Sequence, residues 1–311
     1  MKQKVFIFIL GLIALNFILH SNVFASKEKD KNSIPNLQIG VISDVHIGDE
    51  REKDLFKRAL NDYKNVAPNL KVLAVVGDIT NNGLESQYDE FMHLLNKTLD
   101  PKVERVISIG NHEYYERGVF KESKVTDKEL SDRFVKKTGM PALYYDKWIE
   151  GYHFIALGGE ESMISDMANG DTPIISETQY RWLKKVLEVH DKDNKPIFIF
   201  LHQPIYNTVY GSCESGELKD GKLMEILKEY PQSILFSGHS HYILNHPKSI
   251  YEDGFTMVNT SSIAYTCSEK GEEDSKYSQG LLLNIYGDRV EIKSREFTNN
   301  TWINTHIIKN K

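Results

Sequence analysis

Five short segments place metal-ligating residue types directly after apolar runs: Ser43-Asp44-Val45-His46, Gly77-Asp78, Gly110-Asn111-His112-Glu113, Leu201-His202 and Gly238-His239-Ser240-His241. They hold five of the eleven histidines, together with Asp44, Asp78 and Asn111. A lone histidine after a strand is ordinarily a structural residue with satisfied hydrogen bonds. Five such turns in one chain call for a shared cause. Imidazole nitrogen with carboxylate and amide oxygen, and no thiolate, suits Zn, Fe, Mn or Ni rather than Ca or a cysteine-bound structural zinc. Asp44, His46, Asp78, Asn111, His202, His239 and His241 are too many groups for one ion. They fit two ions sharing a bridging carboxylate, an arrangement that clamps an in-line displacement at phosphorus.

Residues so far apart in sequence can meet only if the chain returns them to one place, which an open α/β sheet does at the carboxyl ends of its strands. The pattern supports this. The strand signals Leu37 to Ser43, Val72 to Val76 and Val103 to Ile109 alternate with helical stretches at Glu52 to Tyr63 and Glu85 to Leu95, forming a βαβαβ unit. After a longer polar insertion, Tyr144-Tyr145 and Tyr152 to Leu157 read as strands and Glu177 to Val189 as a helix. Ile197 to Leu201 reads as a buried strand, Leu218 to Tyr230 as a helix and Ile234 to Phe236 as a strand. From Phe255 onward the helical period vanishes, and Leu281 to Tyr286, Val290 to Lys293 and Thr301 to Ile308 alternate as antiparallel strands do. Three of the five turns carry a glycine just before the ligand type, which permits a sharp bend and a close approach.

The chain has 311 residues, 40% hydrophobic and 26% charged, with a formal net charge of −6 and no Pro/Gly/Ser-rich divider, which predicts one large α/β domain over residues 37–311. Lys2 and Lys4, the apolar run Val5 to Leu19 and the small-residue ending Val23-Phe24-Ala25 predict a signal peptide over residues 1–25, cleaved after Ala25, and hence a secreted protein. An uncleaved N-terminal membrane anchor is the alternative; the run is shorter than the ~20 residues that span a bilayer. Residues 26–36 read as a charged linker. An acidic chain without a Lys/Arg cluster lacks the footprint that nucleic-acid polymers require, which argues against long polyanions as substrates.

The order D-x-H, GD, GNH[DE], H, GHxH resembles the calcineurin-like metallophosphoesterase superfamily, and the likeness spans residues 37 to 265. It implies an α/β fold of two mixed β-sheets packed as a sandwich with flanking helices (αββα). It also implies that Asp44, His46, Asp78 and His241 hold a first metal ion, and that Asp78, Asn111, His202 and His239 hold a second, with Asp78 bridging. His112 would not ligate; it would face the scissile phosphate as proton donor or electrostatic partner. The implied activity is phosphoester hydrolysis by hydroxide formed between two ions of Mn, Fe, Zn or Ni. Purple acid phosphatases place a tyrosine ligand three residues after the bridging aspartate, where this chain has Asn81. His202-Gln203-Pro204 is similar to the HxP turn of class III cyclic-nucleotide phosphodiesterases, so small phosphodiesters are the expected substrates. A phosphomonoesterase or nucleotidase on the same scaffold is the alternative, and a non-catalytic binding scaffold would have no reason to retain every ligand and His112.

Several neighbours of the motifs carry weaker expectations. Glu113 either orients His112 or is a solvent-facing acid, the first being the expectation. Tyr206 and Tyr210 either wall a substrate pocket or pack their loop, and Arg51 and Arg117 read as solvated loop charges. His93, His153, His190, His246 and His306 have no motif context. Cys213 and Cys267, in an exported chain, either pair or remain thiols.

Overall fold

A computed structural model describes residues 34–161, 171–190, 194–213, 216–268 and 271–310, so the signal-peptide segment and the linker up to residue 33 lie outside the described residues. Among the described residues, no helix is long and apolar enough to cross a membrane.

The three strands of the βαβαβ unit form as their buried runs require: β1 (Leu37–Ile42), β2 (Val72–Val76) and β3 (Glu104–Ser108) pair in parallel. Strand β12 (Gln279–Ile285) pairs antiparallel with β1, and β13 (Arg289–Glu296) and β14 (Thr301–Lys309) continue outward, which completes a six-stranded mixed sheet in the order β14-β13-β12-β1-β2-β3. The second sheet has the order β4-β5-β6-β7-β9-β8, with a parallel centre of β5 (Tyr152–Ala156), β6 (Ile197–Phe200), β7 (Ser233–Ser237) and β9 (Phe255–Asn259). Its edges β4 (Tyr145–Ile149) and β8 (Ile250–Asp253) run antiparallel to their neighbours. A small ribbon joins β10 (Thr266–Cys267) to β11 (Glu273–Asp274).

Strand side chains alternate between faces, so β2 sends Val72, Ala74 and Val76 between the sheets, where Phe154, Phe198, Phe200 and Phe236 meet them. Leu73 and Val75 face the other way, against helices α1 (Glu50–Val66), α2 (Glu85–Thr98) and α4 (Asp127–Thr138). The inward stripe of α1 is Phe56, Ala59, Leu60 and Tyr63, one face of a 3.6-residue period. Helices α5 (Glu177–Leu187) and α6 (Lys222–Lys228) cover the second sheet over Ile155, Ile197, Ile199 and Leu235. The layers are therefore αββα, as the resemblance implied.

Four elements depart from the sequence reading. The polar insertion contains α4, which begins at a capping box in which Thr126 Oγ1 accepts from Glu129 N (3.2 Å) and Glu129 Oε2 accepts from Thr126 N (2.8 Å), and which ends at Gly139. A four-residue helix, α3 (Glu116–Val119), precedes it. The helix expected from Leu218 starts only at Lys222, because Leu218 is taken by a bridge to Ile205 and Asp220 Oδ1 accepts from the Lys222 N–H. Strand β8 was not anticipated; Gly254 turns it back onto β9 as a hairpin.

Candidate metal centre

The turns after β1, β2, β3, β6 and β7 open on the same edge of the sandwich, and backbone hydrogen bonds lace them together. Asp44 N donates to Gly77 O (3.2 Å), His46 N to Asp78 O (2.9 Å) and Gly238 N to His202 O (2.9 Å). His239 N reaches across to both oxygens of Asp44 at 3.2 and 3.1 Å, which joins the two sheets at the site.

All eight residues singled out by the motifs meet there. Asp44, His46 and His241 can offer their ligand atoms to one ion, and Asp78, His202 and His239 to another, while His46, Asp78 and His112 form a third such group between them. His241 Nε2 lies 2.9 Å from Asp44 Oδ1 and 3.2 Å from His46 Nε2. Asp78 Oδ2 stands 3.0 Å from His202 Nε2, 3.8 Å from His46 Nε2 and 3.9 Å from His112 Nε2. Asn111 Oδ1 lies 3.1 Å from His239 Nδ1.

The backbone is bent to achieve this. Asp44, His46, Asp78, His239 and His241 all have φ between 48° and 66°, the left-handed region that costs a non-glycine residue on the order of 1–3 kcal/mol. Such strain persists only where the surroundings over-determine it, and here it accumulates on candidate ligand residues. The glycines make room for neighbouring side chains as much as for a bound group. A Cβ on Gly110 would sit 2.1 Å from Asp78 Oδ1, and one on Gly77 (φ 77°) would sit 2.5 Å from the His202 ring.

The donor chemistry fits cations. His202 Nδ1 faces the carbonyl of Val76 at 2.7 Å, and since a carbonyl only accepts, that nitrogen carries the proton. A neutral His202 therefore presents a lone pair at Nε2, which is buried without a hydrogen-bond partner and points at carboxylate oxygens. Burial alone would depress its protonation, but Asp78 and Asp44 outweigh burial and raise the imidazole to about 10. In that balance a proton fills a place built for positive charge, and a metal ion satisfies the same acceptors. Burial holds His46 down at about 4, leaving it neutral and able to ligate. Burial would raise Asp44 and Asp78, but the surrounding histidines keep both carboxyls below the usual range.

His112 is set apart. Its Nδ1 faces Asn81 O at 2.8 Å and so carries a proton, which leaves Nε2 toward the centre, and its side chain is a quarter exposed where the candidate ligands Asp44, His202 and His241 are nearly sealed. Glu113 does not orient it. That fully buried carboxylate instead accepts from Asp78 N (3.0 Å), Thr80 N (2.9 Å), Thr80 Oγ1 (2.9 Å) and Gly110 N (2.8 Å), tying the second motif turn to the third. Burial, and then the Asp78 charge, push its carboxyl up to about 7.

The aromatic side chains beside the centre are not those the sequence suggested. Tyr210 is packed against the segment after β7, stacked on His246 at 3.8 Å and edge-on to Tyr242. Tyr206 is exposed beneath Lys219. Tyr115 instead lies against His112 (ring centroids 4.2 Å apart) and Tyr265 against His241 (4.3 Å). Tyr115 stands three residues after His112 in the run Glu113-Tyr114-Tyr115, a signal that was open to reading; Tyr265 sits in a strand-poor stretch without one. Arg51 donates to Ser275 O at 2.7 Å and pairs with Glu52 at 3.0 Å. His153 and His190 form a buried pair under Trp148, outside the centre. Cys213 and Cys267 are both thiols.

Comparison with known proteins agrees with this geometry. Purple acid phosphatase 23 of Arabidopsis thaliana is 30% identical over 148 residues, 46% of this chain and 29% of that protein. Purple acid phosphatase 15 of the same plant is 27% identical over 146 residues, 47% of this chain and 26% of that protein. The chain thus spans less than a third of the length of these curated relatives. Among solved structures, a dimetal phosphatase from Danio rerio superposes with a TM-score of 0.64 at 15% identity, over 89% of this chain and 100% of that one. The purple acid phosphatase PPD1 from yellow lupin (Lupinus luteus) superposes with a TM-score of 0.60 at 14% identity, over 88% of this chain and 55% of that one. These likenesses show the shared fold. A model of the calcineurin-like phosphoesterase family matches residues 37–242, a span that carries all five motifs and every residue assembled at the centre, and the chain therefore belongs to that family.

Proposed function

We propose that this chain is an exported, metal-dependent hydrolase of small phosphodiesters. The observation that carries the reading is the position of Asp78, one carboxylate oxygen of which faces His202, His46 and His112 at 3.0 to 3.9 Å, so that both ligand groups share it. Asp44, His46, Asp78 and His241 would hold one ion, and Asp78, Asn111, His202 and His239 the other. Two ions of Mn, Fe, Zn or Ni held there would supply Lewis-acid charge to a phosphoryl group and bring the pKa of a water toward neutrality.

The chain's own groups do the rest. His112 Nδ1 is anchored on Asn81 O, which aims Nε2 inward, where it can hold a proton and release it to the leaving-group oxygen. The half-buried Tyr115 and Tyr265 offer ring faces on which a second ester substituent can rest. In the ion pairs of the described residues, Asp44 and Asp78 meet only histidines. Two ions neutralise a monoester dianion as readily as a diester anion, so a preference for the diester would come from the leaving-group side, where His112 and the ring faces lie.

The competing reading is a phosphomonoesterase, favoured by the purple acid phosphatase names of the curated relatives. The test is kcat/KM for matched aryl phosphodiesters and monoesters with Mn, Fe, Zn and Ni. A higher value on the diester, with the gap narrowed by Tyr265→Ala, supports the proposal. Equal or reversed preference with all four metals overturns it in favour of the monoesterase. Export is checked by the N-terminus of protein recovered from the medium, expected at Ser26.

A further inference from the structure

Asn111 differs from the other candidate ligands because only one end of its amide can bind a cation: Oδ1 can, and Nδ2 cannot. Something must decide which end faces the centre. Asn111 Nδ2 donates to Tyr115 Oη at 2.9 Å, and Tyr115 Oη donates to Asp171 Oδ1. A carboxylate is an acceptor only, so the single phenolic proton of Tyr115 is committed to Asp171. Toward Asn111 the phenol oxygen can therefore only accept, which requires the amide NH2 on that side and turns Oδ1 to His239 and the centre. Asp171 is held in turn by Gln203, the residue after the ligand His202, whose Nε2 donates to Asp171 O at 2.9 Å.

We propose that Tyr115 and Asp171 are positioning residues that set the polarity of the Asn111 amide and thereby the affinity of the second of the two ion sites. This rests on the two-ion reading of the centre. The relay runs one way, from the acceptor-only Asp171 through Tyr115 to Asn111, and it begins on a segment outside the family motifs. The Tyr115 ring also covers His112, so the hydroxyl and the ring of one residue serve two different neighbours.

The test is calorimetric titration of metal-free protein with Mn2+, with thermal melts of the metal-free variants as the check on folding. Tyr115→Phe keeps the ring on His112 and deletes the hydroxyl. We expect it to weaken the second binding step ~10–100-fold, the usual effect of losing a group that holds a ligand, while the first binding step stays unchanged. Asp171→Ala is expected to do the same, and Asp171→Asn, which keeps an accepting oxygen, is expected to restore the second step. Two wild-type steps with Tyr115→Phe indistinguishable from them would overturn the relay alone. Wild-type protein that takes up no second equivalent would overturn the two-ion reading and the relay's role with it.

Discussion

The backbone N–H of His112 donates to Asp78 Oδ1 at 2.9 Å, while the other oxygen of that carboxylate faces His202 and His46. One buried side chain thus spans both ligand groups and also anchors the residue beside them. Asp78→Ala is expected to reduce the bound metal from two equivalents to none and to abolish turnover. Metal analysis of the purified variant checks this, and retention of two ions would remove Asp78 from its shared position.

His112 calls for the opposite pattern. It stands 3.9 Å from Asp78 Oδ2 and its ring is held through Nδ1, so His112→Ala should keep both ions and lose on the order of 10²–10⁴-fold in kcat, the range of general acid–base catalysis. A wild-type rate at full metal loading would exclude proton donation.

Glu113 is predicted to matter for stability. Its two oxygens accept four hydrogen bonds in full burial, and Glu113→Gln replaces one oxygen by a donor facing donors. Leaving a buried N–H or O–H unsatisfied costs ~1–3 kcal/mol. Urea unfolding of the metal-free variant measures this apart from metal binding. An unchanged midpoint would show that the turns do not depend on that carboxylate.

His153 lies far from the ligand motifs, stacked under Trp148 at 4.5 Å, with Nδ1 2.8 Å from His190 Nε2 and Nε2 3.0 Å from Asp146 Oδ2. Burial lowers its pKa below the usual 6.5, and Asp146 offsets only part of that shift. The folded state therefore binds this proton less readily than the unfolded state, so its contribution to stability is complete above about 6.5 and is lost as pH falls toward the folded pKa. The stability difference between wild type and His153→Gln should change across that acid window. Parallel curves would contradict the assignment.

Asn81 occupies the place of the tyrosine ligand that the purple acid phosphatase resemblance calls for; it is exposed, and its Nδ2 donates to Asn82 Oδ1 at 3.3 Å. Loading the protein with ferric iron should give no purple tyrosinate charge-transfer band. Its appearance in the visible spectrum would place a tyrosine on the metal and return the chain to that branch.

Much of this was legible in the amino-acid order. Residue types at strand ends identified Asp44, His46, Asp78, Asn111, His112, His202, His239 and His241, because ligand chemistry is a property of side chains and the apolar runs that carry them are long enough to read. The βαβαβ unit and the antiparallel C-terminal strands were legible through periods of 3.6 and 2. Helix α4 was missed although the Thr126/Glu129 box and Gly139 mark its ends, because with Leu130 and Phe134 as its main buried apolar residues its stripe is too thin to stand out from a polar insertion.

What depended on contacts between distant segments was not legible. Glu113 sits beside His112 in sequence yet serves Asp78, Thr80 and Gly110. Tyr265 reaches His241 only because the stretch after β9 folds back onto the β1 turn, where Ala264 N donates to Asp44 O at 3.0 Å. The left-handed backbone at Asp44, His46, Asp78, His239 and His241 runs against the local preference of those residues. It holds because hydrogen bonds between turns from two different sheets outweigh that preference, and such bonds exist only once the tertiary structure has formed.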